Sequence, residues 1–226
     1  VANFGQCASW VGRAPAWAVE EFFERICMPA SLWKHWRLGG LGLLLCLSLG
    51  AAARAVEGHT YDEQLALDGK ALLLNGAGVR SVAWFKGFTV GLWVGQRSGD
   101  AELLMSQEGP KRLRMALLVD NISSEELVKA LHGGVIKRVG PSESERMGPR
   151  LELLAKQIRA LGTFRNNDVI DLDYLPASGL QLRLNGVKRG EPIPGADLYA
   201  AILSIYIGEQ PVDKKLKPAL LGASGA

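Results

Sequence analysis

Between Lys111 and Val119 the chain alternates, with Leu113, Met115, Leu117 and Val119 apolar and Arg112, Arg114, Ala116 and Leu118 between them. A period of two belongs to a strand with one buried face and an outer face that here starts polar. The same period recurs in Val169-Ile-Asp-Leu-Asp-Tyr-Leu175 and in Leu180-Gln-Leu-Arg-Leu-Asn185, a pair that the turn residues Pro176 to Gly179 close into a hairpin. Asp171 and Asp173 share one face of the first of these strands, and the alternation predicts the solvated outer one. Further strands are expected at Leu72 to Leu74 and at Val82 to Val94. Gly87 and Gly91 interrupt the latter, marking a bulge or a close approach to the backbone. Gly76 and Gly78 are expected to form a turn between the two strands, leaving Arg80 where the second begins.

Elsewhere the spacing changes to that of helices. After a turn around Ser98-Gly-Asp100 comes a short helical piece, Ala101 to Ser106. Ser123 or Ser124 is a suitable N-cap, with Glu125 and Glu126 in the first turn and Leu127, Leu131 and Val135 following at i+4. A second helix is predicted from about Ser142 to Leu161, with Leu151, Leu154, Ile158 and Leu161 on one stripe. A third, Ala196 to Ile207, buries Leu198, Ala201, Ile202, Ile205 and Tyr206. Strands and helices together predict one α+β domain without internal repeats.

Composition agrees: 226 residues, 48% hydrophobic and 22% charged, describe a globular chain long enough for one substantial core. The formal net charge is only +3 and the basic residues are interspersed with acidic ones, so no basic stripe points to a nucleic-acid partner.

The first 27 residues do not fit the rest and read as an N-terminal extension of uncertain origin. From Met28 the order is that of a secretory signal peptide: Lys34, His35 and Arg37, an apolar run from Leu38 to Leu49, then Ala53-Arg54-Ala55 as a cleavage signature. The run is shorter than the ~20 residues of a membrane span, so contact with a membrane is expected only through an uncleaved signal segment. Residues 28–55 are therefore assigned to the signal and 56–226 to the domain, with a periplasmic or secreted destination. Cys7, Cys27 and Cys46 all precede Val56, so the mature part holds no thiol.

Candidate chemistry is sparse. His59 and His132 lack Asp, Glu or Cys partners at ligand spacing, so neither a metal nor a cofactor is expected. There is no Gly-x-Ser-x-Gly elbow. Ser81 stands where a dinucleotide fingerprint needs its third glycine, and a strand follows instead of a helix. What remains is Arg80 with the aromatic residues Trp84, Phe85, Phe88 and Trp93 close behind it. Arg80 is either a solvated strand end or an anchor for an anionic or phenolate ligand, and the aromatic group is either core or the lining of an apolar cavity.

Gly76, Gly78, Arg80, Lys86 and Gly91 together resemble the corresponding run of the chalcone isomerase family. Leu198 to Gly208, Pro211-Val-Asp213 and Leu216 to Leu220 are similar to that family's closing helices, and Asp173 to Pro176 with Leu184-Asn-Gly186 to its bacterial secreted branch. The resemblance implies a chalcone isomerase-like fold, an antiparallel sheet covered on one face by helices. In catalytic members the Arg works with a Thr, a Tyr, an Asn and a polar residue of the closing helix. Those positions fall here on Phe88, near Ser124, near Leu131 and near Ile205, so only the Arg is kept. In fatty-acid-binding relatives the Arg is paired with a Tyr that also maps on Phe88. The expectation is thus a small apolar or amphipathic ligand with an acidic end, such as a fatty acid or an aromatic acid, met by Arg80, Phe88, Thr89 and Tyr206 without efficient catalysis. The alternative is an isomerase of the intramolecular-lyase type acting on an enone or phenolic substrate.

Overall fold

The alternating segments assemble into a single antiparallel sheet. The computed structural model describes residues 53–82 and 85–222, so the N-terminal extension and nearly all of the expected signal segment lie outside the described residues. In chain order the strands are β1 (Ala53–Val56), β2 (His59–Asp62), β3 (Gln64–Leu67), β4 (Lys70–Val82), β5 (Phe85–Val94), β6 (Lys111–Leu117), β7 (Ile122–Ser123), β8 (Thr163–Phe164), β9 (Val169–Leu175), β10 (Gly179–Leu184) and β11 (Val187–Ile193). The helices are α1 (Ala101–Ser106), α2 (Ser124–Ile136), α3 (Pro141–Arg159), α4 (Ala196–Ile207) and α5 (Leu216–Leu220). Seven strands form the main sheet in the order β11-β10-β9-β6-β5-β4-β3, while β1-β2 and β7-β8 are separate antiparallel pairs. The expected domain boundary at Val56 falls at the end of β1.

Helices cover one face of this sheet. Val90, Leu92 and Val94 of β5, Leu113, Met115 and Leu117 of β6, and Ile170 and Leu172 of β9 point into a shared core with α2, α3 and α4. α4 was expected to bury one stripe, yet Tyr199, Leu203 and Ile207 are buried as well. A helix apolar almost all round belongs in the middle of a core, and α4 contacts sheet and neighbouring helices alike. α2 opens on a capping box, in which Ser123 accepts from the Glu126 amide while the Glu126 carboxylate accepts from the Ser123 amide. Both bonds satisfy donors that the first turn would otherwise leave unpaired.

The glycines of β4 do not make a turn. β4 runs unbroken through Gly76 and Gly78, and the reversal into β5 comes after Val82. What the glycines provide is room: a Cβ at Gly76 would stand 2.0 Å from the carbonyl oxygen of Ala219, and one at Gly78 would stand 2.9 Å from the Ala219 side chain. α5 therefore lies directly on the strand backbone, and the Asn75 side-chain amide donates to the Leu220 carbonyl at 2.7 Å.

The opposite face departs further from expectation. Asp171 and Asp173 are not solvated, at 1% and 0% exposure. Asp173 accepts two hydrogen bonds from Arg112, both at 2.6 Å, and one from Arg183 at 2.8 Å. Asp171 accepts two from Arg114, at 2.7 and 2.9 Å. Cross-strand register produces this, since Arg112 lies opposite Asp173 and Arg114 opposite Asp171. Tyr61 of β2 lies against Gly91, where a Cβ would approach its ring to 2.4 Å, and forms a second small core with Trp93 and Leu74. Period two separates the two faces of a strand but does not show that a second layer covers the polar one.

At the outer edge, Val187 to Glu191 of β11 are exposed. The Gln181 amide donates to the carbonyls of Arg189 and Gly190, and Gln157 of α3 donates to that of Glu191 at 2.8 Å. No helix of the described residues is long and apolar enough to cross a membrane.

Candidate functional site

Between the helix-covered face of the sheet and α2 lies a cavity of about 530 Å³. Its floor is the sheet, through Met115, Ile170, Leu172 and Leu182, and its sides come from Leu127 and Leu131 of α2 and Ile205 of α4. That volume falls within the roughly 300–1,000 Å³ of small-molecule sites. Leu127 and Leu131 were expected to pack the core at i+4 with Val135. Only Val128 and Val135 of α2 are fully buried, and the two leucines are half-buried because they face this space.

Arg80 stands on the cavity wall, delivered by the last full turn of the pleat in β4, where it lies opposite Phe88 of β5. Its guanidinium carbon is 5.9 Å from the centre of the Phe88 ring, the arrangement of a cation–π contact. Among the described residues it makes no ion pair. Tyr206, in the last turn of α4, donates its hydroxyl to the Met115 sulfur at 3.2 Å, a weak acceptor. Burial pushes the Tyr206 phenol up to about 12, against the opposing pull of the Arg80 and Arg138 charges. Tyr206 is therefore a neutral hydrogen-bond donor at physiological pH, able to exchange the thioether for a better acceptor. At the rim, Asp120 and Asn121 precede α2, and Asn121 is in the left-handed region at φ 60°.

Arg80, Phe88 and Tyr206 are thus brought together, and Thr89 is not. One residue along the strand from Phe88, it points through the sheet to the opposite face, fully buried, and shares a 2.5 Å hydrogen bond with the Tyr61 phenol. Trp93 goes the same way and donates its indole N–H to the Asp62 carbonyl at 2.8 Å. The supposed aromatic group after Arg80 is split by the pleat, and Trp84 lies outside the described residues. Lys86 pairs with Glu57 at 2.7 Å, away from the cavity. Of the positions that the sequence resemblance matched to polar groups of catalytic relatives, Phe88, Leu131 and Ile205 line the cavity with hydrocarbon. Ser124, the fourth, starts α2 and is directed to the Arg159 carbonyl.

The profile of the chalcone isomerase-like family matches residues 53–222. The chain belongs to this family. Comparison with curated protein sequences gives no match. Among solved structures it is similar to a crystal structure of a fatty-acid-binding protein from Arabidopsis thaliana, at 17% identity and a TM-score of 0.61, covering 76% of this chain and 96% of that one. At that identity the likeness speaks for the chalcone isomerase-like fold alone. The family resemblance singled out Arg80 and Phe88 in the sequence, and Tyr206 was named there as a hydroxyl that could replace the missing one; all three line this cavity. Met115 and Leu127 were not singled out, because they read as ordinary core. Among the described residues no cluster of His, Cys, Asp and Glu could hold a metal ion.

Proposed function

We propose that this chalcone isomerase-like protein binds an apolar ligand with an acidic end, in the size range of a medium-chain fatty acid, and acts outside the cytoplasm. The observation that carries the reading is the apolar cavity with Arg80 on its wall, in no ion pair among the described residues. A guanidinium in that position offers two parallel donors to a carboxylate, while the chain displaces water from hydrocarbon. The plant protein that shares the fold is described as a fatty-acid-binding protein, which supports the same ligand class. Phe88, Leu131 and Ile205 supply no donor to an enolate, and this weighs against the isomerase reading.

Calorimetry with laurate tests the proposal. Arg80→Ala is expected to weaken binding by roughly 1.5–3 kcal/mol, about ten- to a hundredfold, and Arg80→Lys to restore part of that because an ammonium lacks the planar fork. Each methylene removed from the acid should cost about 0.8 kcal/mol while the chain still fits the cavity. Equal affinities in all three proteins would remove Arg80 from the site.

Export rests on the basic, apolar and small-residue order that ends at Ala55. Expressed from Met28 in a Gram-negative host, the protein is expected in the periplasmic fraction with Val56 at its N-terminus. An intact chain in the membrane fraction would contradict this.

A further inference from the structure

A second volume adjoins the cavity. It is a groove of about 750 Å³ between the outer side of α2 and the 209–214 segment, and it shares Ala130 and Val212 with the cavity lining. Four cations border it, Lys129, Lys137, Arg138 and Lys214, against one carboxylate, Glu209. None of the four is in an ion pair among the described residues, although Glu125 and Glu126 of the same helix lie near enough to feel the Lys129 charge. Arg138 is the innermost. Its Nη1 donates to the Gly134 carbonyl at 2.7 Å, while its Nε is buried with no partner among the described residues. The Tyr206 hydroxyl feels the charges of both Arg80 and Arg138. The Arg80 and Arg138 charges thus meet at Tyr206, between cavity and groove, offset in part by Asp213, which feels the Arg80 charge, and by Asp120 and Glu126 on the cavity lining.

From this geometry we infer that the ligand's acidic end is a phosphate, carried on an acyl chain that occupies the cavity, and that the groove holds this head group. The inference rests on the cavity reading above and narrows its ligand class. A lone carboxylate is matched by Arg80 and leaves the groove's cations unused. A phosphate ester carries one to two negative charges and three further acceptor oxygens. It reaches the groove while Arg80 and Tyr206 meet the carbonyl oxygen between head and chain. Val212 lies at the junction of the two volumes, where the chain passes from one to the other.

The experiment compares lauroyl glycerol phosphate, uncharged lauroyl glycerol, laurate and inorganic phosphate, on the wild-type protein and on the triple variant Lys129→Glu, Lys137→Glu, Lys214→Glu. All three lysines are exposed, so the variant is expected to fold. At low ionic strength the phosphate ester should bind the wild type at least about tenfold more tightly than lauroyl glycerol, with that gain shrinking as salt is added. In the variant the gain should vanish, and laurate should lose less affinity than the phosphate ester does. Inorganic phosphate should compete with the ester only weakly. A wild type that binds laurate but shows no preference for the phosphate ester would overturn the inference and leave the cavity reading standing. So would inorganic phosphate that binds as tightly as the ester without displacing it. If neither laurate nor the ester binds, the cavity reading itself fails.

Discussion

Asp173→Ala is expected to lower folding stability by about 3–5 kcal/mol, the cost of breaking a buried ion pair by removing one partner. Asp173 is fully buried and accepts from both Arg112 and Arg183. Without it, the Arg112 guanidinium stays in a largely desolvated place with Asp171, at 3.8 Å, as its remaining carboxylate among the described residues. Arg183 keeps a bond to the Gly186 carbonyl and an opening to solvent. The double variant Arg112→Met, Asp173→Leu should recover much of the loss, because hydrocarbon of similar size does not have to be paired. Urea unfolding of the three proteins decides the matter. A single variant within about 0.5 kcal/mol of wild type would restore the view that this face is solvated.

Gly76→Ala carries the second large effect, about 3 kcal/mol, at the upper end of what overpacking usually costs. The atoms it would strike are the backbone of Ala219 and Leu220, which cannot swing away as a side chain can. α5 would have to leave the strand, taking with it the bond between Asn75 and the Leu220 carbonyl. Gly87→Ala is the control, since the nearest atom to its Cβ would be the Arg80 carbonyl oxygen at an ordinary 3.9 Å. Its change should stay below about 1 kcal/mol. If both substitutions cost the same small amount, Gly76 is not a spacer.

These two residues also show what could and could not be read ahead of the structure. Elements with internal alternation or helical stripes, such as β6, the β9–β10 hairpin and α4, declared themselves because their own residues carry the period. Gly76 read as a turn because a strand glycine and a turn glycine look alike until their neighbour is known, and that neighbour, Ala219, comes from the far end of the chain. Asp173 read as solvated because alternation separates faces without showing what lies over them. β1, β2 and β11 escaped notice for want of an apolar face of their own. The site was legible only where a residue type carries chemistry, as Arg80 does. A cavity is space between residues, and Leu127 or Leu131 facing it has the same sequence signature as one facing core.

One edge of the sheet has a consequence for how the protein behaves when crowded. Exposed outer strands are templates on which a second chain can continue the hydrogen-bond ladder and begin a filament. At β11 an incoming strand would find the Glu191 carbonyl already taken by Gln157 of α3. Pro192 has no N–H to offer, and Lys188 and Arg189 put like charges beside their own copies in any in-register stack. Strand addition is therefore disfavoured at the Glu191–Pro192 end of this edge.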